Sequence, residues 1–273
     1  MRAILLWAWA TNPIPIPTCL CDVCKLARQD KSKYMMWPSL YIDNWILIDT
    51  PQAIREQLNK ENILTLSDVF FTHWHPDHTN WISVFEDIFY SKNKRKIKVY
   101  LPDNMVPDFE KHVPDLFYYE KQWFIEIIHI QDRCKIDING VTITPLDMYR
   151  QDRIRYNYLI ETNNTRLLYA PCSCFEMYID ENYYNIDHFF LEYWWLWDSK
   201  KLRDDYKKWI NNFKHRSYVD HISFDENIEL MKKVKPKYMY LIHWNYHDTY
   251  WKLDNLSKEY GVSFPFDWFS IDL

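Results

Sequence analysis

"FTHWHPDHTN", residues 71–80, sets three histidines and an aspartate (His73, His75, Asp77, His78) within six positions. It continues "LSDVFFTH" (66–73), an apolar run that reads as a buried strand ending at the histidines. A strand end is rigid, and the loop beyond it can turn several side chains toward one point. His73 and His75 share a side by alternation, and Asp77 and His78 follow after Pro76 bends the chain. Neutral imidazole and carboxylate are ligands for Zn, Fe or Mn. A lone histidine at a strand end would be read as packing. This spacing is read as part of a metal centre.

The rest of the chain sets the frame. Its 273 residues carry a formal net charge of −5, and the sequence pI is about 6.1. A chain of this size buries about 70–75% of its unfolded surface, enough for a large α/β core. There is no domain-wide basic excess to suggest nucleic acid, and "SKNKRKIK" (91–98) reads as a solvated loop running into a strand. No run reaches 18 apolar residues, so no membrane span is expected. "MRAILLWAWATNPIPIP" at the start reads as a first β-strand rather than a signal peptide, because prolines and cysteines follow it instead of a small-residue cleavage site. Six cysteines without such a signal point to a reducing, cytoplasmic setting, where cysteine serves metal or chemistry. Glycine occurs only twice, where average usage of about 7% would give roughly 19. Turns must therefore use Asn, Asp and Pro.

Strand and helix signals alternate along the chain. Strands are expected at 3–9 and 39–50, the latter a hairpin turning at Asp43-Asn44, and a helix at 51–60. "KIKVYLP" (96–102) is a strand and "MVPDFEKHV" a short helix. Two hairpins follow, 134–148 turning at Asn139-Gly140 and 155–172 turning at Asn163-Asn164. Then come a strand at 186–193, a helix at 223–236 opened by a Ser223–Glu226 capping box, and a last strand at 238–244. Two similar halves of strand meanders with helices between suggest two sheets sandwiched by helices in one domain. The aromatic run "YWWLW" (193–197) reads as core together with a lid or a homodimer surface.

A second cluster lies near the start. "CLCDVCKLAR" holds Cys19, Cys21 and Cys24, a spacing at which three thiolates can wrap one tetrahedral zinc that needs a fourth ligand. A redox pair at Cys21 and Cys24 is the other reading, and the additional Cys19 favours metal.

The His-x-His-x-Asp-His stretch after a strand resembles the signature of the metallo-β-lactamase superfamily, whose fold is an αββα sandwich of two mixed sheets flanked by helices. The resemblance runs through the cysteine motif, "ILIDT", the histidine cluster, "LLYAPC", the helix after His221 and the last strand with His243. It therefore implies one such domain over residues 1–273 with an N-terminal structural zinc element. Within the superfamily the cysteine motif is similar to that of the branch holding the phosphonate-operon cyclic phosphodiesterase and the pyrroloquinoline-quinone biosynthesis B proteins. There a distant histidine before a helix completes the zinc, which implies Cys19, Cys21, Cys24 and His221 here. In the superfamily two metals activate water and polarise the scissile group. The first two histidines serve one site, and the Asp and last His serve the second.

This sequence departs from the pattern. The Gly-rich turn usual after the first strand is replaced by "WATNPIPIP". Where a third histidine of the first site is expected, "PLDMYRQD" (145–152) has none, leaving Asp147, Tyr149, Gln151 and Asp152 as stand-ins among which spacing does not choose. Cys172 occupies the place of a bridging Asp; it is read as a thiolate ligand, with core packing as the other reading, and Cys174 is read as packing. The active-centre ligands are then His73, His75, Asp77, His78, Cys172 and His243, holding Zn, Mn or Fe. Asp77 and His247 are the catalytic candidates, His247 as an acid or phosphate contact or else an ordinary loop histidine. His112, His129, His188 and His215 are read as surface or strand-packed. The leading expectation is a metal-dependent hydrolase, a phosphodiesterase acting on a small, cyclic or open, phosphodiester. The alternatives are an iron-dependent oxygenase or redox enzyme of a biosynthetic pathway, and a non-catalytic metal-binding member.

Overall fold

A computed structural model describes residues 1–8, 13–43, 45–92, 94–149, 154–193, 221–243, 253–265 and 268–273. Its strands are β1 (Arg2–Trp7), β2 (Ser39–Ile42), β3 (Ile46–Ile48), β4 (Asp68–Phe70), β5 (Ile97–Pro102), β6 (Ile125–Ile130), β7 (Ile136–Ile138), β8 (Val141–Asp147), β9 (Tyr156–Glu161), β10 (Arg166–Ala170), β11 (His188–Glu192), β12 (Tyr238–Ile242) and β13 (Phe269–Asp272). Its α-helices are α1 (Asp22–Gln29), α2 (Ile54–Lys60), α3 (Pro76–Thr79), α4 (Val84–Phe89), α5 (Val106–His112), α6 (Pro114–Lys121), α7 (Phe224–Val234) and α8 (Leu253–Tyr260).

The strands form two mixed sheets, ordered β13-β1-β2-β3-β4-β5-β6 and β12-β11-β10-β9-β8-β7. Each begins as an antiparallel meander and ends in parallel strands. Pairing turns parallel at β3–β4 in the first sheet and at β10–β11 in the second. Parallel neighbours need long crossovers, which bring in helices. Two sheets flanked by helices make the αββα sandwich that the resemblance implies.

The inner strands of the second sheet are largely apolar on both sides because both faces are covered. Tyr156, Tyr158 and Ile160 of β9, Leu167 and Tyr169 of β10, Phe190 of β11, and Tyr240 and Ile242 of β12 enter the core shared with the first sheet. Their neighbours Leu159, Leu168, Phe189, Leu191, Met239 and Leu241 enter a second core with Cys24 and Ala27 of α1 and Phe224 and Ile228 of α7. The period-two split is that of strands buried on both faces. At the site end the sheets are joined by hydrogen bonds as well as by packing. The Tyr158 hydroxyl donates to the Phe71 carbonyl at 2.7 Å. The Tyr156 N–H donates to the Thr72 carbonyl at 2.9 Å, and the His243 N–H to the Ala8 carbonyl at 2.6 Å.

Local signals explain the turns and ends. Asn139 and Gly140, both at positive φ (52° and 82°), close the two-residue β7–β8 hairpin, the backbone that a type I′ turn demands. α7 carries the reciprocal capping box between Ser223 and Glu226, and it ends at Lys235, in the left-handed region, just before Pro236. No helix among the described residues is long and apolar enough to cross a membrane. Of "YWWLW", Tyr193 is buried in the second core, and 194–197, with the lid or homodimer surface expected of them, lie outside the described residues.

Candidate metal centre

The chain leaves β4 at Phe70 and presents Thr72, His73, Asp77 and His78 in quick succession, all buried. Pro76 opens α3, the single helical turn that carries Asp77 and His78. What aims these side chains is a residue 29 positions upstream of His78. Asp49, just after β3, is fully buried in a left-handed backbone conformation (φ 68°) that Asp tolerates better than most residues. Its carboxylate accepts from the Thr72 N–H at 2.8 Å, the Thr72 hydroxyl at 2.8 Å and His78 Nδ1–H at 2.6 Å. With Nδ1 committed as donor, Nε2 is the atom that a metal would take in exchange for a proton, and it is buried with no hydrogen-bond partner among the described residues. Fixing a ligand's tautomer in this way is the usual work of a carboxylate behind a metal-bound histidine.

Around His78 stand Asp77 and His243. The ligand atoms of these three lie within 4.8 Å of one another. Asp77 Oδ2 is 3.6 Å from His78 Nε2 and 3.4 Å from His243 Nε2. A four-coordinate metal with bonds of about 2.0–2.3 Å sets its donors roughly 3.3–3.8 Å apart, so the spacing fits. Burial alone would raise Asp77, but His78 and His243 hold it well below the usual carboxylate range. Burial would lower His78, yet Asp49 and Asp77 raise it to about 10. The pocket is built to stabilise positive charge.

Cys172 follows β10, buried, with its sulfur grouped with His73 and His78 on one side and with Glu192, His221 and His243 on the other. Burial pushes the thiol up, but His243, Arg155 and His78 pull it down to about 5. Cys174 lies in the second core, with its thiol on the Ala170 carbonyl at 3.3 Å. His75 packs edge-on against His73, centroids 4.6 Å apart, but no third His, Cys, Asp or Glu donor among the described residues joins that pair.

The stand-ins for a third histidine do not come to it. Asp147 accepts from Asn104 Nδ2 at 2.9 Å and the Tyr149 N–H at 2.7 Å. The Tyr149 side chain is exposed, its hydroxyl on Asp132 at 2.7 Å. Gln151 and Asp152 lie outside the described residues, as do His215 and His247. Arg155, just before β9, comes instead. It is buried, and its Nη1 is 3.5 Å from His73 Nε2, 3.3 Å from Cys172 Sγ, and bonded to Ser173 Oγ.

His221 corrects the expectation for the cysteine element. It stands at the other end of the centre, donating from Nδ1 to Glu192 Oε2 at 2.7 Å, and the cysteines assemble without it. The physical reason is Glu192, a fully buried carboxylate at the end of β11 that sequence reasoning passed over. A buried charge must be satisfied. Glu192 gathers the N–H groups of Ser173, Cys174 and Ile222 as well as His221. Burial would raise it, and His221 and His243 bring it well below its ordinary value.

The sulfurs of Cys19, Cys21 and Cys24 lie within 4.8 Å of one another, and no fourth His, Cys, Asp or Glu among the described residues joins them. Cys21 caps α1, its sulfur accepting from the Cys24 N–H at 3.4 Å, and Cys24 Sγ accepts from the Ile16 N–H at 3.4 Å. Arg28 holds the loop by donating to the carbonyls of Cys19 at 2.6 Å and Ile16 at 2.7 Å. Sulfurs that converge while accepting N–H bonds suit a zinc element. Among the described residues, the other histidines are packed or on the surface: His112 stacks on Trp74, His129 bonds Asp103, and His188 bonds the Tyr240 hydroxyl.

The family model for the beta-lactamase superfamily domain matches residues 44–244. None of the curated proteins matches the chain. Among solved structures, a diphosphatase from the PhnP family is 18% identical, with a TM-score of 0.72 and 99% of this chain and 97% of that chain covered. Zn(2+)-bound PqqB from Methylobacterium extorquens is 16% identical, with a TM-score of 0.74 and all of both chains covered. Human tRNase Z, short form, is 14% identical, with a TM-score of 0.64 and 100% and 99% covered. At these identities the likeness is one of fold.

Proposed function

The chain belongs to the beta-lactamase superfamily domain family, and on that premise we propose that it is a metal-dependent hydrolase acting on a small phosphodiester, with residues 1–273 forming one catalytic domain. The observation that carries this reading is the buried trio Asp77, His78 and His243, spaced as ligands with His78 Nε2 turned toward the other two by the Asp49 bond to Nδ1. Cys172 is the fourth ligand. Zn, Mn or Fe suits this donor set, and Zn suits the three cysteines. A metal bound there would supply Lewis-acid polarisation and lower the pKa of a water.

The chain's own residues do the rest. Arg155 holds a buried Nη2 without a hydrogen-bond partner among the described residues, a donor suited to an anionic oxygen of the substrate. That favours a phosphodiester over a neutral substrate. His221, oriented by Glu192, is the imidazole beside the ligands that we assign to give a proton to the leaving oxygen, the role first read for His247. The diphosphatase of the PhnP family shares the fold over nearly the whole chain, which supports a phosphate substrate.

The test is elemental analysis of anaerobically purified protein together with hydrolysis of bis-p-nitrophenyl phosphate. Zinc or manganese with turnover is expected. Iron with O₂ consumption and no phosphodiester turnover overturns the proposal in favour of an oxygenase, a reading to which the mixed carboxylate, imidazole and thiolate donors lend support.

A further inference from the structure

We propose that Arg155 stands in for the first metal of the two-metal arrangement, so that this centre holds one metal ion beside one fixed guanidinium. The inference rests on the reading of Asp77, His78, Cys172 and His243 as ligands.

The argument turns on where one lone pair goes. The Thr72 hydroxyl has a single hydrogen, and it goes to the Asp49 carboxylate at 2.8 Å, which can only accept. His73 Nδ1, 3.0 Å from the same oxygen, must then be the donor there. That leaves the His73 lone pair on Nε2, and what faces Nε2 is Arg155 Nη1 at 3.5 Å. The same nitrogen is 3.3 Å from Cys172 Sγ and bonded to Ser173 Oγ. His73, His78 and Cys172 converge within 4.8 Å, and the guanidinium touches two of the three. A metal ion on His73 would have to take the lone pair that the arginine engages and sit against a cation that does not deprotonate.

Two further observations agree. The two described stand-ins for a third histidine, Asp147 and Tyr149, are bonded elsewhere. The position of Arg155 is also fixed by the fold. The next residue, Tyr156, bonds the Thr72 carbonyl, and the Arg155 carbonyl accepts from the Met148 N–H at 3.1 Å. The backbone that carries the guanidinium is thus pinned beside the histidine strand. Arg155 supplies a permanent positive charge and, through Nη2, a donor for a substrate oxygen, two of the services of a first metal. A single ion held by Asp77, His78, Cys172 and His243 would supply the activation of water.

The experiment loads wild type, Arg155→His and Arg155→Lys with Zn(II) alone. It counts ions by native mass spectrometry and locates them by anomalous scattering, which separates the centre from the cysteine element. One ion at the centre is expected in wild type and Arg155→Lys, and a second on His73 in Arg155→His. Two ions at the centre in wild type overturn the inference whatever the variants do, and so does a folded Arg155→His that gains none. A wild-type centre with no ion at all overturns the ligand reading itself and with it the proposed function.

Discussion

Asp49→Asn isolates the electrostatic part of the site. Asn also tolerates a φ of 68°, so the backbone after β3 keeps its course. The carboxylate accepts three bonds at 2.6–2.8 Å from Thr72 and His78. The amide has one accepting oxygen, so its NH₂ must meet the Thr72 hydroxyl and the His78 Nδ1–H edge, both of which donate. A buried donor left without an acceptor costs about 1–3 kcal/mol. In a domain of this size each kcal/mol shifts the melting temperature by about 2–4 °C, so a fall of roughly 2–12 °C is expected. His78 also loses the partner that fixes its tautomer, and losing such a partner typically costs 10–100-fold in metal affinity. The assays are thermal unfolding and zinc competition against a chromogenic chelator. A variant whose zinc affinity stays within twofold of wild type, with an unchanged melting temperature, would refute the assignment of Asp49 as the residue that orients the ligand.

Other outcomes follow from the same geometry. Cys172→Asp keeps metal at the centre but lowers the thiolate-to-metal charge-transfer absorption of the Co(II)-loaded protein to what the three-cysteine element alone contributes; absorption equal to that of wild type would show that the Cys172 sulfur is not a ligand. Cys24→Ser loses about one zinc equivalent without loss of the ion at the centre; retention of both ions argues against the cysteine element. Tyr158→Phe removes the 2.7 Å bond to the Phe71 carbonyl and costs about 1–2 kcal/mol in urea unfolding; no change would mean that packing alone joins the sheets there. Asp180, although partly buried, is held below its ordinary pKa by Arg133 at 2.7 Å and by the Asn182 N–H. Its contribution is therefore complete above the unfolded value near 3.9 and is lost as pH falls through the lower folded value. The stability gap between wild type and Asp180→Asn should hold constant from pH 7 to 5 and close below about pH 4; a gap that widens in acid contradicts the pairing.

Local features were legible in the sequence. The histidine stretch could be read because its four groups lie within one strand end and one helical turn, and the Asn139-Gly140 hairpin and the Ser223 cap because each is settled within four residues. The groups that sequence reasoning missed act over long separations. Arg155 meets His73 across 82 positions, and Asp49 reaches Thr72 and His78 across 23 and 29. Glu192 looked like an ordinary residue at the end of an apolar strand, and no periodicity marks a carboxylate that will gather a loop, a helix entry and a histidine. His221 went astray for the same reason, since its place before a capped helix says nothing of the charge opposite it. β13 also escaped notice, although its four residues pair with β1 to close one edge of the first sheet.

The 3.4 Å approach of His243 to Asp77 joins residues 166 positions apart. The last of the grouped ligands therefore directly follows a strand laid down after most of both sheets, and β12 takes its place by pairing with β11. As the chain emerges during synthesis, His73, Asp77 and His78 are exposed long before any partner from the second sheet exists. An early ion would find an open and incomplete set of donors and leave again. Loading of a metal would thus wait for the end of folding, when closing so long a loop has already been accomplished by the core. An ion held by this set would bridge the two sheets, and pulling them apart would first require its release.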